Sequence, residues 1–140
     1  MGPRARDERD AEGERGDGGL IRGAIICESL KPGTILEGYD LKVTRWSRYD
    51  ITDPAPYQPS TWTLIEFEAD DDVSDPLAQR LAKSLLEPGW YANWYSADRA
   101  VVVFPEKIFR YKRGDKAARK RAQKFGRECG IPEPQLDWDD

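Results

Sequence analysis

Histidine is absent from this chain of 140 residues. Without an imidazole, Ser/His/Asp and Cys/His catalysis, histidine-bearing zinc sites and axial histidine ligation of haem are all excluded. The sequence also lacks a Walker loop, a G-x-G-x-x-G turn and a C-x-x-C pair, which disfavours ATP, dinucleotide and dithiol chemistry. We therefore expect no cofactor and no metal centre.

Cysteine is scarce too, with only Cys27 and Cys129. A secreted disulfide scaffold would carry more, so a reduced, cytoplasmic protein is the favoured interpretation and a single bridge between these two the less favoured one. No run of about 18 apolar residues occurs, and residues 1–19 contain no apolar signal segment. We expect neither export nor a membrane partner.

The chain is instead rich in charge and aromatic rings. Charged residues make up 34% and aromatic residues 11%, with a net charge of −4. The aromatic and branched side chains supply enough apolar area for a core, which global disorder would lack. Residues 1–19 hold four Arg, six acids and five Gly, so we predict a disordered tail there and a single domain over residues 20–140.

Three strand-like stretches come first. LIRGAIICESL, residues 20–30, is apolar on both faces, as in a central strand. From Leu41 the residues alternate until a slip near Thr44–Arg45, which predicts a β-bulge. TWTLIEFEA, residues 61–69, alternates most regularly and is the clearest strand of the sequence.

Two helices are predicted from capping signals and spacing. Ser74 or Asp75 can cap a first helix with Pro76 at its first position, and leucines at helical spacing carry it to about Leu86. Asp115 can cap a second helix, which is rich in Lys and Arg.

The predicted order of elements is β-β-β-α-β-β-β-α. Strands cluster and helices are few, which favours an α+β fold: an antiparallel sheet of five to six strands with both helices on one face. In the order of its elements alone, the stretch 61–130 resembles most of a ferredoxin-like unit, which is an analogy of fold and carries no function.

The densest aromatic stretch is GWYANWYS, residues 89–96. An extended strand here has aromatic side chains on both faces, so a single core layer cannot account for all of them. The second face must be covered by the proline-rich loop 53–59 with Trp138, by a second subunit, or by a ligand. The two faces are Trp90, Ala92 and Trp94 on one side and Tyr91, Asn93 and Tyr95 on the other.

Glu66 and Glu68 are the candidate acid/base pair. They lie two apart on one strand, so their carboxylates point the same way, about 6–7 Å apart. Together with the Tyr91 hydroxyl they are candidates for catalysis without histidine, with Tyr as hydrogen-bond donor and Glu as base. The alternative is that both carboxylates simply face solvent.

The second helix has a basic face that comprises Lys116, Lys120, Lys124 and Arg127. The alternatives are a solvated face, a site for an acidic protein or a small anion, and a nucleic-acid site. Nucleic acid is the least favoured because the whole protein is acidic and no nucleic-acid motif is present.

Two functions from different classes follow. The first is a small-molecule-binding cytoplasmic protein with an aromatic cleft, which includes a cofactor-free isomerase, cyclase or dehydratase. The second is a non-catalytic module that docks on a protein partner, or on a second copy of itself as a homodimer, through the aromatic strand or the basic helix. The predicted ligand-binding residues are Tyr57, Trp62, Trp90, Trp94 and Tyr95.

Overall fold

The computed structural model describes residues 19–140. The order of strands and helices along the chain is the predicted one. Except for Gly19, the predicted tail lies outside the described residues. The elements are β1 (Leu20–Ile26), β2 (Lys42–Asp50), β3 (Thr61–Asp70), α1 (Ser74–Ser84), β4 (Ala92–Tyr95), β5 (Arg99–Phe104), β6 (Lys107–Lys112) and α2 (Lys116–Glu128), with 3-10 turns at Cys27–Ser29, Asp71–Val73 and Glu133–Gln135.

The six strands form one antiparallel sheet in the order β2-β3-β1-β4-β5-β6. The predicted α+β class and antiparallel sheet are therefore confirmed. The register of β2 against β3 shifts between Val43 and Arg45, where the sequence predicts a β-bulge. The edge strand β2 is exposed along almost its whole length, and its Trp46 is 69% exposed.

Helix α1 covers one face of the sheet. Its buried residues include Leu77 and Leu81, which belong to the same apolar cluster as Phe67 and Trp94. Within β5, the odd-numbered valines Val101 and Val103 belong to that cluster as well. Burial of these large side chains at about 25 cal/mol per Å² of apolar surface is the main stabilisation of this layer.

Helix α2 covers the opposite face, so the prediction that both helices share one face is wrong. Its buried Ala118 and Ala122 cluster with Val102 and Phe104, the even-numbered residues of β5. Because successive side chains of a strand point to opposite faces, β5 is buried by α1 on one side and by α2 on the other. A strand whose residues are all apolar, such as AVVVF, must be covered on both faces.

Local boundaries differ from the predictions in several places, and β1 ends at Ile26 rather than at residue 30. Strand β4 is only Ala92–Tyr95, so Trp90 and Tyr91 precede it. Helix α1 includes Ser74 as its first residue rather than as its cap. Asp115 caps α2 as predicted, because its carboxylate accepts a hydrogen bond from the Ala118 N–H at 3.0 Å.

Candidate functional site

The chain's own C-terminal segment, residues 129–140, covers part of the second aromatic face. The Tyr91 hydroxyl donates to the Gln135 carbonyl at 2.5 Å, and the Asn93 side chain donates to the Asp139 carbonyl at 3.1 Å. The Trp138 ring stands edge-on to Tyr91, with centroids 5.3 Å apart. The aromatic strand is thus partly closed from within the molecule.

A partly buried polar network fixes the end of this segment. The Asp140 carboxylate accepts a hydrogen bond from Tyr111 at 2.5 Å and pairs with Arg119 at 2.6 Å. The Trp138 indole N–H donates to the Tyr111 hydroxyl at 2.9 Å, and the Arg119 guanidinium lies 5.2 Å from the Trp138 ring centroid. Burial and the bond to Asp140 raise the pKa of Tyr111 to about 12.

The proline-rich loop holds the C-terminal segment from the other side. The Tyr57 hydroxyl donates to the Gly130 carbonyl at 2.5 Å. The side-chain amides of Gln58 and Gln135 form two reciprocal hydrogen bonds of 2.9 Å. The loop therefore supports the segment that covers the sheet.

Between the C-terminal segment and the edge strand β2, part of this sheet face is open. We call this opening the sheet groove. Its floor is one face of β1, β3 and β4, where Ala24 lies directly between Glu66 and Asn93 in the cross-strand register. Two cavities make up the groove, and both are lined by Ala24, Leu64, Asn93 and Asp137.

The smaller cavity, about 240 Å³, is the aromatic end of the groove. Trp62 and Trp90 pack against each other there, with ring centroids 5.0 Å apart. Gln135 and Pro134 of the C-terminal segment close it on one side, and Tyr49 of β2 closes it on the other. We call it the aromatic cavity; its remaining lining is Ile26, Gly89 and Tyr91, besides the four shared residues.

The larger cavity, about 540 Å³, is the charged end. Four carboxylates and one guanidinium line it, so we call it the carboxylate cavity. Two of the acids are paired: Arg22 lies 3.1 Å from Glu68, and Arg45 lies 3.7 Å from Glu66. The lining comprises Arg22, Gly23, Thr44, Glu66, Phe67, Glu68, Tyr95, Trp138 and Asp139, besides the four shared residues.

The candidate catalytic residues fall at two different ends of the groove. Glu66 and Glu68 line the carboxylate cavity, whereas Tyr91 lines the aromatic cavity. The Tyr91 hydroxyl already donates to a carbonyl, and burial together with the charge of Asp137 raises its pKa well above the ordinary value. Its proton is therefore held in a structural bond, and Glu66 and Glu68 are held in ion pairs.

The predicted ligand-binding residues divide in the same way. Trp62 and Trp90 line the aromatic cavity, and Tyr95 lines the carboxylate cavity. Tyr57 lines neither cavity. Trp94 lies on the α1 face with no exposed surface, and its indole N–H donates to the Ser74 hydroxyl at 2.8 Å.

The basic face of α2 is exposed and lies on the side opposite the buried Ala118 and Ala122. Arg127 pairs with Glu133 at 2.6 Å. Within residues 19–140 the other three basic side chains of this face make no ion pair; they are Lys116, Lys120 and Lys124. None of the four basic residues lines the sheet groove.

Several groove residues escaped the sequence interpretation. Asp137 lies in the acidic C-terminal residues, whose composition predicts side chains in solvent. Tyr49 lies on a strand whose neighbours in the sheet cannot be predicted from the sequence. Ala24 and Leu64 are ordinary strand residues. The only usable signal is the alternation of β3, which places Leu64 on the same face as Glu66.

No family model, curated protein or solved structure matches the chain. We therefore infer its function from the chemistry of the groove. In the described part of the chain, no helix is both long and apolar enough to cross a membrane, and no three His, Cys, Asp or Glu side chains group as metal ligands.

Proposed function

We propose that the protein binds a small molecule with an apolar or aromatic body in the sheet groove. The observation that carries the proposal is the aromatic cavity: a space of about 240 Å³ between buried Trp62 and Trp90 and the half-exposed Tyr49. Ligand sites combine apolar and aromatic walls with a few polar groups that orient the ligand, and this groove has both.

The walls of the groove are held in place by specific contacts. The C-terminal segment is fixed by Tyr91, Tyr111 and the amide pair of Gln58 and Gln135. The floor is a central part of the sheet, where β1 pairs with both β3 and β4. A site with such preformed walls loses little conformational entropy when a ligand binds.

Binding is better supported than catalysis. A catalytic Tyr and Glu must both reach the reacting atoms. Tyr91 is committed to Gln135, and Glu66 and Glu68 are each paired with an Arg. We therefore infer a binding protein, and an enzymatic role would require these pairs to open.

A titration with 2-phenylethanol tests the proposal. For a fragment of this size we expect a dissociation constant of the order of 1 mM. The variant Ala24→Leu places three extra carbon atoms on the groove floor and should weaken binding at least tenfold, because Ala24 lines both cavities.

Ala117→Leu is the matched control. It makes the same chemical change at an exposed position of α2 that lines neither cavity. Circular dichroism of both variants checks that each one folds. The proposal would be contradicted if the two variants had equal affinity. It would also be contradicted if the unmodified protein bound no ligand at concentrations up to about ten times the expected dissociation constant.

A further inference from the structure

The charges around the groove are unequally compensated. Arg22 offsets Glu68 and Arg45 offsets Glu66. Two acids of the C-terminal segment lack such partners: within residues 19–140 the Asp137 and Asp139 carboxylates make no ion pair. The groove therefore carries an excess of negative charge on the wall that faces β2.

Asp137 has a special position, because it lines both cavities. It stands where the aromatic end of the groove meets the charged end. Its charge reaches the aromatic rings on both sides of the groove: burial first, and then the nearby carboxylates including Asp137, raise the pKa of Tyr49 on β2 and of Tyr91 beside β4.

Aromatic faces and an uncompensated carboxylate together favour a cation. The negative face of a Tyr or Trp ring attracts an ammonium group, and a carboxylate attracts the same charge and accepts a charge-assisted hydrogen bond from any N–H that the group carries. An anion would be repelled by the negative charges of Asp137 and Asp139, which no ion pair offsets. A neutral ligand would have no electrostatic attraction to them.

On this basis we propose that the sheet groove selects small organic cations. The ligand is a primary or quaternary ammonium compound whose charge lies beside Asp137 and whose apolar body fills the aromatic cavity. The inference rests on the proposed function and adds the chemical class of the ligand to it.

Three probes of one shape test the selection: 2-phenylethylamine as the cation, 2-phenylethanol as the neutral compound and phenylacetate as the anion. At pH 7 and low salt, the amine should bind about tenfold more tightly than the alcohol, since a partly exposed charge contact contributes only modestly. Phenylacetate should bind more weakly than the alcohol. Added salt should narrow the gap between amine and alcohol.

Asp137→Asn removes the charge and keeps the shape of the side chain. It should remove most of the amine's advantage and leave the affinity for 2-phenylethanol unchanged. Glu37→Gln is the matched control, because it changes the net charge equally at an exposed residue that lines neither cavity; it should leave the preference intact.

The outcomes separate the two proposals. If the amine and the alcohol bind equally, or phenylacetate binds best, the selection of cations is wrong and the groove remains a binding site. If D137N keeps the full preference for the amine, Asp137 is not the anchor and the inference is again overturned. If none of the three probes binds, both the cation selection and the proposed function are wrong.

Discussion

The Trp138 and Tyr91 rings meet edge-on across the second face of the sheet, with their centroids 5.3 Å apart. This contact joins the C-terminal segment to the densest aromatic stretch of the sequence, just before β4 begins at Ala92. It answers the question of what covers that strand: the C-terminal segment covers part of it and leaves a groove beside it. The same segment therefore contributes both to the stability of the fold and to the wall of the groove.

The attachment of the C-terminal segment should depend on pH through Asp140. Burial opposes its ionisation, but the bonds from Tyr111 and Arg119 and the charges of Arg119 and Arg113 outweigh burial and lower its pKa below the ordinary 3.8. A lowered folded-state pKa gives stability that is present above 3.8 and is lost as the pH falls through the folded value.

Asp140→Asn should accordingly lower the free energy of unfolding by about 1–2 kcal/mol at pH 7 and by much less at pH 2. Urea unfolding at both pH values measures the difference. Glu37→Gln, at an exposed position, should have little effect at either pH. If D140N lowered the free energy of unfolding equally at pH 7 and pH 2, the ionised carboxylate of Asp140 would not be what stabilises the attachment of the segment.

The docking of the proline-rich loop can be tested at Gly89. Its φ is +76°, and a Cβ atom there would lie 1.9 Å from the Tyr57 hydroxyl. Gly33 has a similar φ of +91° with no atom near its Cβ position. Gly33→Ala should lower the free energy of unfolding by about 1 kcal/mol, because of the backbone conformation alone. Gly89→Ala should lower it by at least about 2 kcal/mol more, because the new Cβ also clashes with Tyr57.

Urea unfolding of the two alanine variants gives this comparison. Adding Tyr57→Ala to Gly89→Ala should recover part of the extra cost, since it removes the atoms that clash. Equal losses for Gly33→Ala and Gly89→Ala would mean that Tyr57 does not pack against Gly89.

The two faces of the sheet should respond differently to mutation. Trp94 is fully buried under α1, so Trp94→Phe should destabilise the protein by about 2–3 kcal/mol and leave the affinity for 2-phenylethanol unchanged. Trp62 lines the aromatic cavity, so Trp62→Phe should weaken that affinity severalfold. The affinities are measured well below the unfolding temperature of each variant, so that a loss of stability does not appear as a loss of affinity. Weaker binding by W94F than by W62F would contradict the assignment.

The order of strands and helices could be read from the sequence because it depends on local patterns. Alternation identified β3, the slip near Arg45 identified the bulge, and Asp115 identified the start of α2. The faces covered by the helices could not be read in this way. AVVVF shows that β5 is buried on both sides, but not which helix covers which side.

The groove was only partly predictable for a similar reason. Trp62 and Trp90 were expected in a cleft because aromatic residues on a strand need a cover. Asp137 and Tyr49 reach the same place from distant parts of the chain, through the docking of the C-terminal segment and the pairing of β2 with β3. Contacts of such sequence separation leave no local pattern.

The most direct test of the groove as a ligand site is a ¹⁵N NMR titration of the full chain with 2-phenylethanol, read at the indole N–H signals of its five tryptophans. The signals of Trp62 and Trp90 should move with increasing ligand and saturate, because both rings line the aromatic cavity. Those of Trp94, on the α1 face, and Trp46, on the edge strand, should stay in place. Movement at Trp94 or Trp46 without movement at Trp62 and Trp90, or no movement at all, would contradict the account.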